Sequence, residues 1–280
     1  MEQIIRKENW KRMLPKRMDD SFKGTYGKVL IVAGSRNMAG AAYLSAKAAY
    51  RTGAGLVYIY TEECNRVILQ QLLPEAVLFT WEEETFDCEQ LREMIGGMDA
   101  VVIGPGLTNG VFQKQMVETV LRANDKRRLL DAGALMILAK YPQLWESVKT
   151  PIVITPHLGE MSRLTGLEIR DIKQNLSETA LQFCRTYPAV TLLKDAQTII
   201  SDGTDYYRNM TGNHGMATGG SGDVLSGIIG GLLAQKMELF EAAALGAYLH
   251  GMAGDMARER RGAYSMMAGD IVEHILYGIS

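Results

Sequence analysis

Cysteine is scarce in this 280-residue chain: Cys64, Cys88 and Cys184 are an odd number and lie far apart. They form neither a disulfide framework nor a zinc-ligand pattern, which fits a reducing compartment. Long apolar runs are lacking too. Lys47 and Arg51 break the longest candidate, short of the ~20 residues a membrane helix needs. The N-terminus, with Arg6, Lys7, Lys11 and Arg12, is too charged for a signal peptide. A cytoplasmic protein without a membrane partner is expected. No basic block stands out and the formal charge is −2, so nucleic acid is not an expected partner. The P-loop pattern G-x-x-x-x-G-K-[S/T] is missing, and Gly34 after the first predicted strand opens no G-x-G-x-x-G. G-x-S-x-G and zinc-spaced His/Cys/Asp/Glu clusters are missing as well. Walker-type ATPases, ordinary Rossmann dehydrogenases and common serine or zinc hydrolases are thereby set aside.

What is present reads as a globular enzyme core, 47% apolar and 22% charged. Residues 1–27 read as an irregular lead-in, glycine-punctuated at Gly24 and Gly27. Lys28–Ala33 is a β-branched run, Ala41–Arg51 has helical spacing, and Leu56–Tyr60 is the next strand. Further strands are expected at 76–79, 100–103, 128–131, 152–155, 190–193 and 198–201. Helices are expected at 111–123, 135–140, 175–187, 224–234, 239–258 and 268–277. No Pro-, Ser- or Gly-rich linker divides the chain, so one domain over residues 1–280 is expected. This alternation predicts an α/β fold, a doubly wound, mostly parallel sheet with helices on both faces. Ligands of such sheets bind beyond the carboxyl ends of the strands. The segments 34–40, 104–106, Asp131, 156–160 and 194–198 all fall at such ends.

The densest signal is Thr211-Gly-Asn-His-Gly-Met-Ala-Thr-Gly-Gly-Ser-Gly-Asp223, running into the uncharged segment 224–234. It places five of the 29 glycines within eleven residues, Gly212 to Gly222. A loop emptying into a helix offers unpaired N–H groups and the positive end of the helix dipole, a natural anion site. Asp223 is then out of place in a pure phosphate cradle. A lone Asp before a helix is ordinarily an N-cap, worth ~1 kcal/mol over Ala. Capping alone does not require so many glycines, whereas close approach of a ligand does. An Asp beside a held phosphoryl group can take the proton of an attacking hydroxyl. Elsewhere, His157 and Glu160 suit substrate contact and water-mediated metal contact, against the plainer reading of a polar turn. His214 lies in the glycine loop. His250 and His274 fall on predicted helices and read as structural, and the sixteen methionines read as core filler. Lys194-Asp-Ala-Gln-Thr198, taken alone, is a polar hairpin turn.

Taken together, these segments are similar to the ADP-dependent NAD(P)H-hydrate dehydratases of the ribokinase-like superfamily. The matching stretches are 23–35, 40–42, Gly104-Pro-Gly-Leu107, Thr155-Pro-His-Leu-Gly-Glu160, Lys194–Thr198 and Asn213–Asp223, in family order over about residues 22–278. The His after Thr155-Pro156 replaces the Asn of the superfamily's sugar kinases. The resemblance implies a ribokinase-like three-layer α/β/α fold. It further implies dehydration of the S-epimer of hydrated NADH or NADPH, with ADP consumed and AMP and phosphate released. By motif, Ala41, Gly106, His157 and Asp223 would contact the hydrated nucleotide. Lys194, Asp195, Ala196, Gln197, Thr198 and Gly222 would contact ADP or AMP. Gly219, Gly220, Ser221 and Gly222 would form the anion hole, and Asp223 would be the catalytic base. Mg2+ is expected with the phosphates, Glu160 reaching it through water. A homo-oligomer, a tetramer among the options, and a separate epimerase as functional partner are also implied. One departure stands out: where the family tends to read Asp-Ala-Asp, this chain has Asp131-Ala-Gly133. Position 133 is thus not expected to touch substrate or metal, and the role of Asp131 stays open. Two other readings remain: a kinase of the same fold acting on a small vitamin-precursor alcohol, and a nucleotide sensor without turnover.

Overall fold

The structure, a computed structural model, describes residues 2–3, 5, 9–82 and 86–277; residues 1, 4 and 6–8 of the expected lead-in lie outside the described residues, as do 83–85 and 278–280. The first half runs β1 (Glu2–Gln3), β2 (Lys28–Val32), α1 (Ala39–Thr52), β3 (Leu56–Glu62), α2 (Arg66–Leu72), β4 (Val77–Trp81), α3 (Cys88–Gly96), β5 (Ala100–Ile103) and α4 (Val111–Arg122). It continues with β6 (Arg127–Leu130), α5 (Gly133–Lys140), β7 (Ile152–Ile154), α6 (Leu158–Thr165), α7 (Ile169–Gln174) and α8 (Leu176–Thr186). Strands β8 (Ala189–Leu193), β9 (Ile199–Ser201) and β10 (Tyr206–Arg208) precede α9 (Ser221–Ala234), α10 (Leu239–Arg261) and α11 (Ala268–His274).

Among the described residues, ten strands join one sheet in the order β1-β10-β9-β8-β7-β6-β5-β2-β3-β4. Among these described strands, β9 alone runs against its neighbours; the other pairs are parallel, for example β2 with β3 and β5. Alternate side chains of β2 serve opposite faces. Val29 and Ile31 join the core under α1, α9, α10 and α11, whereas Leu30 and Val32 join the core under α3, α4, α5 and α8. The expected three-layer, doubly wound architecture is therefore present. The chain builds outward from β2 to β4, then returns to the other side of β2 with β5. That reversal opens a crevice between the ends of β2 and β5.

The lead-in is less irregular than expected, with short 3-10 turns at Trp10–Met13 and Lys23–Tyr26 and Trp10 buried. Sequence reading also passed over β1, β10, α2, α3, α6 and α7. Helix α9 is apolar all round because it is enclosed: every residue from Val224 to Ala234 is buried. Burying Ile228, Ile229, Leu232 and Leu233 stabilises the fold by roughly 1.5–3 kcal/mol each. Its glycines let α1 pass close by. A Cβ on Gly227 would lie 2.1 Å from the Ser45 carbonyl oxygen. The same tight crossing fixes the N-terminus of α9 rigidly at the carboxyl edge of the sheet.

Candidate active site

At the start of α9, Gly220 is the N-cap, in the left-handed conformation at φ 89°. Asp223 is the third helical residue and no N-cap, which removes the capping explanation for it. Among the described residues no hydrogen bond reaches its half-buried carboxylate, and its backbone carbonyl accepts a bond from Ser45 Oγ at 2.9 Å. Burial, and after it the negative charge of Asp131, raise the Asp223 pKa to about 6, with Lys194 opposing. Of the four residues expected in the anion hole, Ser221 already uses its N–H on Thr218 O at 3.3 Å. The N–H groups of Gly219, Gly220, Gly222 and Asp223 make no backbone bond among the described residues. The free donors at this helix start thus include Asp223 itself. The loop is tied down from α10, where Asp255 accepts bonds from Gly212 N at 3.0 Å and Asn213 Nδ2 at 2.9 Å.

Strands β6, β7 and β8 deliver charged groups to the same place. Pairing of β7 with β8 continues past their ends, His157 lying opposite Lys194. The Lys194 ammonium lies 2.9 Å from Asp131 Oδ1 and 3.9 Å from Glu160 Oε2. Burial alone would lower its pKa, but the charges of Asp131, Glu160 and Asp223 outweigh burial and raise it. A Cβ on Gly222 would sit 3.7 Å from Lys194 Nζ and 3.8 Å from Asp131 Oδ2. Lys194, Asp131 and the first turn of α9 therefore face one another. His157 caps α6: its Nδ1 accepts from Gly159 N at 3.0 Å and Glu160 N at 3.2 Å, while Glu160 Oε2 accepts from His157 N at 2.8 Å. With Nδ1 accepting, neutral His157 carries its proton on Nε2, 3.5 Å from Glu160 Oε1.

A cleft of about 930 Å³ opens beside these groups, lined by His157, Lys194, Asp195, Ala196, Thr198, Ser221 and Gly222. Gln197 is exposed and accepts a bond from Arg208, so its side chain does not line the cleft. Ala41 and Gly106 meet at the β2–β5 crevice, where a Cβ on Gly106 would lie 2.8 Å from that of Ala41. His274 is buried in α11 with Nδ1 on Asp270 O, a structural histidine. His250, read as structural, instead lines the cleft, its Nε2 3.3 Å from Ser221 Oγ. Burial lowers its pKa to about 4, the Ser221 bond opposing and Lys194 adding to the shift, so it is neutral at pH 7.

Sequence reading also undervalued Asp131. It is buried, bonded to Lys194 and to Ser226 Oγ at 2.7 Å. Position 133 has no room for a side chain in this structure: a Cβ on Gly133 would lie 2.3 Å from Leu107 O. Position at a strand's carboxyl end was the available signal for Asp131. Nothing local marked Asp255, which lies within a helix far along the chain.

The sequence profile of the NAD(P)H-hydrate dehydratase family matches residues 29–276. The chain is 41% identical over 272 residues to the bifunctional NAD(P)H-hydrate repair enzyme of Moorella thermoacetica, covering 94% of this chain and 51% of that protein. It thus spans about half the length of that relative. It is 35% identical over 261 residues to the ADP-dependent (S)-NAD(P)H-hydrate dehydratase of Lactiplantibacillus plantarum, covering 92% of this chain and 91% of that one. The ADP/ATP-dependent NAD(P)H-hydrate dehydratase of Bacillus subtilis, co-crystallized with ATP/Mg2+, superposes with a TM-score of 0.83 at 33% identity, covering 96% and 94% of the two chains.

Proposed function

The chain belongs to the NAD(P)H-hydrate dehydratase family, and from that premise we propose that it repairs nicotinamide nucleotides, dehydrating the S-epimer of hydrated NADH or NADPH at the expense of ADP. The observation that carries the reading is the juxtaposition of a raised-pKa carboxylate, Asp223, with free N–H groups of the glycine loop and the Lys194 ammonium. An acid with a pKa of about 6 is ionised at neutral pH yet basic enough to take a hydroxyl proton.

Hydroxide is a poor leaving group, so the hydrate's hydroxyl is phosphorylated before it leaves. Its oxygen attacks the β-phosphorus of ADP, and the bond to the bridging oxygen breaks with its electron pair going to AMP. Asp223 takes the hydroxyl proton, while the N–H groups of Gly219, Gly220 and Gly222 hold the phosphoryl oxygens. The C–O bond then breaks with its pair leaving on phosphate, the neighbouring carbon gives up a proton, and the ring double bond returns. Ala41 and Gly106 at the β2–β5 crevice, with His157, hold the hydrated nucleotide. The segment Lys194–Thr198 holds the nucleotide that ends as AMP.

No cluster of three metal-ligating side chains exists among the described residues. Mg2+ needs no such cluster, since it keeps several waters and binds through phosphates plus one or two carboxylates. Glu160, buried with Oε1 facing the exposed His157 ring, would hold it through water. Bound there, the ion neutralises phosphate charge. A separate epimerase would supply the S-epimer, and a homo-oligomer, tetrameric in the fuller form, is proposed as the working state.

The test is incubation with hydrated NADH, ADP and Mg2+, followed at the NADH absorbance with AMP and phosphate counted. Gain of absorbance with AMP and phosphate in equal amounts is expected. No gain, with phosphorylation of a thiazole or pyrimidine alcohol instead, would establish the kinase reading.

A further inference from the structure

Asp131 is the most constrained acid near the cleft, and the steps above leave it without a role. Its backbone is clamped from both sides. A Cβ on Gly104 would lie 1.8 Å from Asp131 O, and Gly133 packs against Leu107 O. Ala132 between them adopts φ 43° and ψ −116°, the first central position of a type II′ turn, closed by Ala134 N on Asp131 O at 3.0 Å. Glycine is the favoured residue there. The turn accepts that strain and thereby fixes the direction of the Asp131 side chain.

Each oxygen of that side chain already has a protein partner. It is buried, Oδ1 accepts from Lys194 Nζ at 2.9 Å, and Oδ2 accepts from Ser226 Oγ at 2.7 Å, one turn below Asp223 on α9. Lys194 is thus drawn to the first turn of α9, 3.7 Å from the place a Gly222 Cβ would occupy. An ammonium at a helix N-terminus faces the positive end of the dipole. The ammonium and the free N–H groups thus turn positive charge toward one space, while Asp131, Glu160 and Asp223 hold the ammonium charged. Glu160, 3.9 Å away, is the second carboxylate on the ammonium, so the Lys194 side chain faces one acid just past β6 and another on α6.

We propose that Asp131 is a positioning residue that aims the Lys194 ammonium at the phosphoryl group in transit, away from the nucleotide left behind as AMP. Lys194 keeps its proton throughout and moves none; it supplies fixed positive charge opposite the free N–H groups. This inference rests on the dehydratase reading, in which Lys194 was assigned to the nucleotide as a whole.

The experiment compares Asp131→Asn, Lys194→Met and the double variant for turnover of hydrated NADH with ADP, for AMP affinity by calorimetry and for Tm. Each single change should lower kcat by about 10²-fold or more. The double variant should fall no more than about threefold below the worse single one, because both remove one device. In Asp131→Asn, which keeps every residue of the Lys194–Thr198 segment, AMP affinity should stay within about threefold of wild type. Should Asp131→Asn fail to fold, Ser226→Ala frees Oδ2 while keeping every charge, and kcat should drop about tenfold with AMP affinity unchanged. Wild-type kcat in Asp131→Asn, AMP affinity lost there in step with turnover, or multiplying single effects would each overturn the assignment. An unaffected Ser226→Ala overturns it likewise. A wild-type enzyme that does not restore NADH at all sinks the dehydratase reading itself, which keeps the two failures apart.

Discussion

Adding one methyl group to each of two neighbouring glycines should separate catalysis from folding. On Gly222 a Cβ meets only Lys194 Nζ and Asp131 Oδ2, at 3.7 and 3.8 Å, which is ordinary contact. Gly222 is the second residue of α9 and has no left-handed φ. Gly→Ala at such a site stabilises by ~0.4–1 kcal/mol through the unfolded chain, so Tm should rise by about 1–3 °C. Yet the methyl fills the gap in which the phosphoryl group is to be held. A displacement of about 1 Å or the loss of one oxyanion donor lowers turnover roughly 10²–10³-fold. On Gly220 the added Cβ would lie 2.5 Å from Leu44 Cδ1 and 3.0 Å from Ala268 Cβ, at φ 89°. Overpacking and the left-handed backbone together cost about 2–4 kcal/mol, or roughly 5–15 °C in Tm. Thermal melts and kcat at saturating ADP decide the matter. The reasoning is refuted if Gly222→Ala keeps wild-type turnover, or if it loses activity only in proportion to lost stability.

Asp223→Asn should abolish turnover by ~10²-fold or more while leaving the fold intact, because position 223 is not the N-cap. Wild-type kcat should show an acid limb near the Asp223 pKa of about 6, and a flat profile down to pH 4.5 would remove Asp223 as the base. That pKa lies above the ordinary 3.8, so between the two values the folded state binds more proton than the unfolded. This carboxyl therefore makes stability fall as pH rises through the window, and Asp223→Asn should lack that slope in pH-dependent urea melts. Asp255→Ala removes the two bonds that anchor Gly212 and Asn213; the KM for ADP should rise about tenfold with a smaller change in kcat, and an unchanged KM would show that the loop needs no anchor.

The sheet was legible because its central strands are short β-branched runs separated by helical periodicity, as in Lys28–Val32 and Ala100–Ile103. Strand β10 escaped because Tyr206–Arg208 is three residues long and gains its identity only by pairing with Ile199–Ser201. Helix α6 escaped for a related reason: its start is set by His157 and Glu160 capping each other, and His is not among the common N-cap residues. The glycine loop announced itself, since close approach of a ligand to backbone N–H groups favours residues without side chains. Its anchors did not. Asp255 is 43 residues from Gly212, Lys194 is 63 from Asp131, and each pairing is made only by the fold.

The same distinction bears on which glycines carry function. Gly227 and Gly133 are required by the protein's own atoms, at 2.1 Å from Ser45 O and 2.3 Å from Leu107 O. Gly219 has nothing within 4 Å of its missing Cβ, and Gly222 has only the two charged side chains of the cleft. Open space alone does not mark a functional glycine, because Gly40, Gly96, Gly166, Gly262 and Gly269 have nothing around their missing Cβ either. Gly219 and Gly222 differ in standing at the start of α9, where Lys194 and Asp131 converge. Composition alone cannot draw that line, because both kinds stand within fifteen residues of Asp223 or at a strand end beside it. Geometry separates the two kinds: the crowded pair is required by the protein's own packing, and the open pair leaves the room that the proposed phosphoryl transfer needs. The tight seat of α9 gives Asp223 its buried position beside Asp131, so the packing of α9 against α1 raises the pKa of that carboxyl as well as holding the loop.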